Sequence, residues 1–254
     1  MIHKKSTPSI SYRIIRHLRE WHRKLGIFSA LFIIFLSISG IALNHTTLLS
    51  LSEKSITSSL LLNHYGIKPP SDIRFYQQKE WLVTEQFIWL GDKLVYESDE
   101  PVISISKFQT YRLLATTKRL IIFTDKGELV DKLDSSSDLP VPIQAISISE
   151  NHILLKTPHG YYQGDSDFFD WQKINTLIEP KWTSSEAGTQ SESTIASTKY
   201  QSQFLSWERV ILDAHSGRIL GDYGVILMDV VAFMLILLSI SGIYMWFKYS
   251  KKKR

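Results

Sequence analysis

Two long, nearly uninterrupted apolar stretches lie close to the two ends of the chain. The first runs from Leu25 to Leu43 without a charge, and the second runs from Gly224 to Phe247 with one charge, at Asp229. Because a helix rises 1.5 Å per residue, about 20 apolar residues cross the hydrocarbon core of a bilayer. The pattern therefore predicts two transmembrane helices, at residues 25–46 and 223–247.

Between these stretches the spacing of the apolar positions changes to a period of two, which is typical of β-strands. Three comparable groups of short strands begin at Ile73, Ile103 and Ile146, and the second and third groups repeat an Ile-Ser-Ile-Ser strand 43 residues apart. That offset is close to the period of about 40–45 residues of a propeller blade, although propellers usually have four blades or more. The sequence thus predicts a β-rich, propeller-like meander domain, and it leaves closure of the propeller open.

The remaining segments complete the predicted organisation of a membrane α and soluble β protein. Residues 1–24 are expected to form a basic amphipathic helix that extends the first span along the inner leaflet. Residues 47–222 form the β-rich domain, in which the Ser- and Thr-rich stretch at about 179–200 is predicted to be an exposed loop. Residues 248–254 form a basic tail.

Charge indicates the orientation of the two spans. Seven Lys and Arg residues precede Leu25 and five follow Phe247, whereas the segment between the spans has 17 bases and 23 acids. Because basic flanks resist translocation, both termini are expected to be cytoplasmic and the central domain to lie outside, in the periplasm of a bacterial inner-membrane protein. The acidic central domain gives no reason to expect a nucleic-acid partner, and the partner of the spans is the lipid bilayer.

Two further sequence features narrow the function classes. The first apolar stretch is longer than the 7–15 residues of a signal-peptide core and is not followed by a small-residue cleavage site, so it is predicted to be an uncleaved anchor. The chain has no Cys, which excludes disulfides, thiolate metal sites and thiol chemistry. Hydrolase and transferase motifs such as HExxH, the P-loop and a Ser-His-Asp order are also absent from the sequence.

Both spans contain the same six residues, Leu-Ser-Ile-Ser-Gly-Ile, at 36–41 and 238–243. Since the helices run in opposite directions, the two copies lie near opposite membrane faces, as in an in-plane pseudo-two-fold arrangement. Ser39, Gly40 and Gly242 are predicted to allow close helix packing, with chance composition as the alternative. Asp229, an acid within a span, is expected either to bond to Ser39 of the neighbouring helix or to lie beside a cofactor or proton path.

Several motifs resemble one family of bacterial inner-membrane proteins, the PepSY-associated transmembrane family. They are Trp21–Gly26, Ser37–Thr46, Leu62–Ile67, Asp213–Gly221 and Ser239–Trp246, which lie in roughly the first seventy and the last fifty residues. In larger, four-span members this resemblance implies b-type haem held by intramembrane histidines and reduction of ferric siderophores in the periplasm.

Three histidines at the membrane boundaries are candidate haem ligands. His45 and His215 flank the outer ends of the spans, and His22 lies near the inner face. His22 and His45 are about 34 Å apart on a continuous helix, so they cannot ligate one haem in one protomer. The alternatives are a lipid-headgroup contact for His22, a helix-end cap for His45 and an ordinary turn residue for His215.

Two function hypotheses follow. In the first, a protein with haem b, ligated by His45 and His215 and with His22 as ligand of a second haem, passes electrons across the membrane to a periplasmic ferric-siderophore-like acceptor. Two helices provide few walls for a haem, so a homodimer with four helices is expected in that case. In the second, the protein is a non-catalytic, membrane-tethered module that binds or assembles with a periplasmic protein.

Overall fold

The computed structural model describes residues 10–149, 152–168, 170–175 and 180–250; the expectations for residues 1–9 and 251–254 lie outside them. The described helices are α1 (Ile10–Asn44), α2 (Ser59–His64), α3 (Gln190–Ser202), α4 (Trp207–His215) and α5 (Gly221–Ser250). The described strands are β1 (Ile73–Tyr76), β2 (Trp81–Thr84), β3 (Phe87–Leu90), β4 (Lys93–Glu97), β5 (Val102–Phe108), β6 (Tyr111–Thr116), β7 (Leu120–Thr124), β8 (Leu129–Leu133), β9 (Ala145–Ser149), β10 (His152–Thr157), β11 (Gly160–Gly164) and β12 (Trp171–Ile174). These elements form two compact units, a helical unit that ends at Ile56 and resumes at Leu205, and a β unit at Thr57–Phe204.

Helices α1 and α5 are long and apolar enough to cross a membrane. The most apolar 18-residue windows of their candidate spans, Arg16–Asn44 and Arg218–Lys248, have mean hydropathies of 2.4 and 2.5. Only 11% and 6% of the residues in their most apolar windows are buried by the rest of the chain. A core helix of a soluble protein would be mostly buried, so these helices expose their apolar surface as membrane spans do. The unbroken α1 also extends the first span toward the N-terminus, as the amphipathic pattern predicts.

The helical unit contains more of the chain than the spans alone. The N–H of Ile56 donates to the carbonyl of Leu205 at 2.8 Å, and the N–H of Trp207 donates to the carbonyl of Lys54 at 3.0 Å. These bonds join the segment after α1 to the start of α4, which Ser206 caps through its hydroxyl. The β unit is therefore narrower than the predicted 47–222, because the polypeptide on both sides of it packs with the helices.

The β unit consists of three four-stranded antiparallel sheets in which the strands pair in sequence order, β1 to β4, β5 to β8 and β9 to β12. This confirms the prediction that short antiparallel meanders form a central β-rich domain. Some hairpins keep a simple register, for example Ile73 opposite Thr84 and Ile153 opposite Ile148, whereas β3–β4, β5–β6 and β7–β8 each have a register shift. The first strands of the sheets lie next to one another, since β5 contacts both β1 and β9.

Three apolar clusters hold the β unit together. One lies between the first two sheets and includes Trp81, Ile105 and Phe123, all at most 1% exposed. The second lies between the second and third sheets, and the third lies between the first sheet and α3. Each fully buried side chain of this size contributes about 1.5–3 kcal/mol to folding. The sheets are therefore stacked face to face, and α3 covers the outer face of the first sheet.

The prediction of an exposed loop at 179–200 is wrong for its second half, from residue 190 onward. Residues 180–189, here called the return segment, bond back to the sheets, and residues 190–202 form α3. Thr189 and Glu192 form a capping box in which each side chain accepts the other residue's N–H. The Ser- and Thr-rich composition is typical of a loop, so the helix was missed. The Thr-x-x-Glu spacing is the sequence signal that predicts its start.

Candidate functional site: two histidine–serine pairs

His215 lies at the last position of α4 and contacts the first copy of the repeated motif. Its Nδ1 is 2.7 Å from Ser39 Oγ, which lies near the C-terminal end of α1. Ser39 is 7% exposed, so this bond is shielded by the helices. Residues 176 positions apart in sequence are thus joined by one hydrogen bond.

His22 makes the same contact with the second copy of the motif. Its Nδ1 is 2.8 Å from Ser241 Oγ on α5. Since Ser241 occupies the position in its motif that Ser39 occupies in the other, each copy of Leu-Ser-Ile-Ser-Gly-Ile receives one histidine. The antiparallel packing of α1 and α5 places the two pairs at opposite ends of the helix pair.

The hydrogen bonds of the serines favour one tautomer of each histidine. Ser39 Oγ donates its only proton to the carbonyl of Phe35 at 2.7 Å, and Ser241 Oγ donates to the carbonyl of Leu238 at 3.0 Å. A hydroxyl has one proton and two acceptor positions, so a serine that donates to its helix carbonyl can accept a bond from Nδ1–H of the ring. In a neutral ring the lone pair then lies on Nε2, to which none of the described residues forms a hydrogen bond.

The glycine that follows each serine leaves space for the ring. A Cβ on Gly40 would lie 3.6 Å from His215 Cε1, and a Cβ on Gly242 would lie 3.4 Å from His22 Cε1. Both distances leave room for one methyl group and little more. The motif glycines therefore lie against histidine rings of the same chain, whereas the sequence suggested a contact between helix backbones.

The other two residues singled out in the sequence are not part of these pairs. Asp229 is exposed, and the expected bond between Asp229 and Ser39 is wrong because Ser39 bonds to His215. His45 is exposed just beyond the end of α1, and its side chain has no hydrogen bond within the described ranges. Ser241 was missed as a partner, although its equivalence to Ser39 in the repeated motif could have identified it.

An apolar groove of about 420 Å³ lies beside the pair of His22 and Ser241. Its lining includes His22 and Ser241 together with Leu18, Trp21, Leu237 and Tyr244. Among the described residues no group of three or more His, Asp or Glu side chains could hold a bare metal ion. The pairs instead suit a macrocyclic metal group, which needs only axial imidazole ligands and apolar walls. His22 suits the role of an axial ligand because its contact with Ser241 favours a free Nε2 and because an apolar groove lies beside it. His215 suits the role because its contact with Ser39 likewise favours a free Nε2.

Comparison with known proteins gives the chain a family. No curated protein matches it. The family described as the PepSY-associated TM region matches residues 5–248, which is nearly the whole chain and includes both spans and the β unit. The two exposed apolar helices agree with the membrane location that this description states. The protein is therefore a membrane protein that belongs to the PepSY-associated transmembrane family.

Proposed function

We propose that this protein is a bacterial inner-membrane electron carrier in which His215 and His22 are axial ligands of b-type haem near the outer and inner membrane faces. Electrons from the cytoplasm would reach a ferric-siderophore-like acceptor in the periplasm. The observation that supports the proposal best is the contact of each Nδ1 with a serine whose hydroxyl also bonds to a helix carbonyl, because it favours the tautomer in which Nε2 keeps its lone pair. Haem, when bound, supplies the one-electron redox chemistry.

The serines provide what a ligating histidine ordinarily needs from its surroundings. A ligating ring usually donates its second N–H to a fixed acceptor, which sets its tautomer and its orientation. Here Ser39 and Ser241 are fixed in turn by their bonds to helix carbonyls. His45, exposed near the outer end of α1, remains a proposed second ligand of the outer haem, from the same protomer or from a second copy.

The proposal includes a homodimer. One chain contributes two spanning helices, which leave the groove beside His22 open to the membrane. A second copy would supply two further helices as walls and a second set of histidines. The orientation is proposed from charge: the twelve bases that flank the spans favour cytoplasmic termini, and the more acidic β unit would then lie in the periplasm.

The test is an absorption spectrum of the full chain, purified in detergent from haem-replete cells, before and after reduction with dithionite. The proposal predicts b-type bands that decrease in His215→Ala and in His22→Ala and disappear in the double variant. His152→Ala, which changes an exposed histidine of the β unit, is the matched control and should leave the bands unchanged. Wild-type protein without bands, or bands that are indifferent to both ligand variants, would reject the proposal.

The serine variants separate a ligand role from a purely structural one. Ser39→Ala and Ser241→Ala remove the acceptor of Nδ1–H and leave the histidine in place. If the histidines are ligands, these variants should keep haem and shift its reduction potential, because the orienting bond tunes the basicity of the ring. No shift in either variant would count against this role of the serines.

One observation favours a second function, the membrane-tethered binding or assembly module. Each His–Ser bond by itself ties α1 to another helix, and such a bond contributes about 0.6–2 kcal/mol within a membrane. A protein of this kind would show no haem bands, and His22→Ala would lower its thermal stability in detergent. The absorption spectrum therefore distinguishes the two functions directly.

A further inference from the structure

The return segment crosses the first strands of all three sheets in the β unit. The N–H of Thr183 donates to the carbonyl of Ile146 on β9, and Thr183 Oγ1 accepts a bond from Ser106 of β5 at 3.0 Å. Farther along, the N–H of Glu186 donates to the carbonyl of Phe75 on β1 at 2.7 Å. A cleft of about 470 Å³ lies beside this crossing, and its lining includes Lys107 and Lys181.

The charge of this cleft is opposite to that of the unit around it. Residues 57–204 contain 14 bases and 19 acids, but none of the described residues that line the cleft is acidic. Five other bases of the unit form ion pairs, which join Arg74 to Asp72, Lys79 to Glu192, Arg112 to Asp125, Arg119 to Asp99 and Lys199 to Asp92. Lys107 and Lys181 form no ion pair with any described residue. Both ammonium groups can therefore bind an anionic ligand in the cleft.

The rest of the lining supplies neutral hydrogen-bonding groups on a fixed wall. The lining includes the amide of Gln77 and the hydroxyls of Ser106 and Thr183. Trp182 stacks on Tyr161 with ring centroids 5.7 Å apart and an angle of 24° between the planes. Because the neighbouring ring holds the indole in place, this side of the cleft needs little reorganisation to bind a ligand.

Backbone strain is concentrated at one edge of the cleft. Gln77, Gln78 and Lys79 have φ angles of +54°, +56° and +70°, which a residue with a Cβ adopts at a cost. The turn is held by two carboxylates: Gln78 N–H donates to Glu186 at 2.8 Å, and Lys79 Nζ bonds to Glu192 at 2.8 Å. Strained turns of this kind persist where the surrounding structure fixes them, and they are common at binding sites.

We propose that this cleft binds a small anion with two or more carboxylate or phosphate groups. Two ammonium groups would neutralise the ligand, and the amide of Gln77 and the hydroxyl of Thr183 would bond to its oxygens. A large polyanion such as a nucleic acid is disfavoured by the acidic surface of the rest of the unit. The proposal does not depend on haem, because every residue that it uses lies in the β unit.

The test is calorimetric titration of the full chain in detergent at low salt, with citrate as the carboxylate probe and pyrophosphate as the phosphate probe. We expect millimolar or tighter binding of at least one probe, which weakens as NaCl is added. Binding of citrate alone assigns the site to carboxylates, and binding of pyrophosphate alone assigns it to phosphates. Binding of neither probe to the wild-type protein would overturn the proposal.

A charge-reversal pair provides the matched comparison. In Lys107→Glu/Lys181→Glu we expect the affinity to fall roughly tenfold or more, because two charge-assisted bonds become repulsions. Lys118→Glu/Lys126→Glu makes the same change in net charge at two exposed lysines that do not line the cleft, and it should retain the affinity within about twofold. An equal loss of affinity in both double variants would reject the assignment of the binding site to this cleft. Lys107→Ala and Lys181→Ala, each expected to weaken binding, replace the double variant if its circular dichroism shows misfolding.

Discussion

The backbone of Gly217 lies directly against the backbone of Gly224, at the corner where α4 leads into α5. A Cβ on either residue would collide with the carbonyl group of the other, and a Cβ on Gly217 would also lie 2.8 Å from Met228 Cγ. Gly217 has a φ angle of +82°, in the region that favours glycine. This contact sets the path of the chain from His215 into the second span, so it positions the pair of His215 and Ser39.

Gly217→Ala should therefore lower the free energy of unfolding by about 2 kcal/mol or more, through strain together with overpacking. Gly66→Ala is the control, because Gly66 also has a positive φ, +67°, but a Cβ there would meet nothing within 4 Å. That variant should lose only about 1 kcal/mol. Thermal unfolding in detergent, followed by circular dichroism, measures both; equal losses would show that the Gly217–Gly224 contact is not the cause.

Gly242→Ile should separate His22 from Ser241. A Cβ alone would lie 3.4 Å from His22 Cε1, so alanine fits closely and a branched side chain does not. We expect the free energy of unfolding in detergent to fall by about 1–3 kcal/mol with isoleucine and by less with alanine. The matched variant is Gly26→Ile on α1, where a Cβ meets nothing within 4 Å. Cross-linking of the same variants tests the proposed homodimer separately. If Gly242→Ile does not weaken the dimer, this motif is not part of the dimer interface.

Glu192 should make the docking of α3 dependent on pH. Its hydrogen bond with Lys79, together with the N–H and hydroxyl of Thr189, lowers the pKa of the Glu192 carboxyl from 4.5 to about 2. A carboxyl whose pKa is depressed by folding stabilises the folded state above its unfolded pKa, and this contribution is lost as the pH falls through the folded pKa. The stability difference between wild type and Glu192→Gln should thus be constant at neutral pH and shrink between pH 4.5 and about 2.

Thermal midpoints of both proteins, measured across that pH range in the same detergent, check this expectation. Glu128→Gln changes an exposed glutamate whose side chain has no partner within the described ranges, and it should give no such trend. A difference between wild type and Glu192→Gln that persists unchanged below pH 2 would contradict the assignment to this carboxylate.

The topology can be tested without purification. A reporter enzyme that is active only in the periplasm, fused after Arg254, should be inactive, because five bases follow the second span. The same reporter inserted between Ser136 and Ser137, in an exposed turn of the β unit, should be active. Activity of the C-terminal fusion would reverse the proposed orientation and with it the assignment of outer and inner histidines.

The sequence by itself was sufficient for the features that depend on local patterns. Each span is an uninterrupted apolar stretch of about twenty residues, and each strand alternates with a period of two, so both can be recognised without knowledge of their neighbours. The three meanders, the two helices that flank them and the family were predicted in this way and are confirmed. The helix α3 was missed because its Ser- and Thr-rich surface has little apolar periodicity, and burial of Ala196 and Tyr200 against the first sheet stabilises it.

Only the tertiary structure decided the partners of the histidines. Ser39 and His215 are 176 positions apart, and His22 and Ser241 are 219 positions apart. Hydropathy places each of these residues at a depth in the membrane, but it does not fix the rotation of either helix or the register between them. Those depend on close packing, in which the glycine after each serine leaves space for an imidazole ring. For that reason the repeated motif could be recognised in the sequence, while its contact with a histidine became visible only in the folded chain.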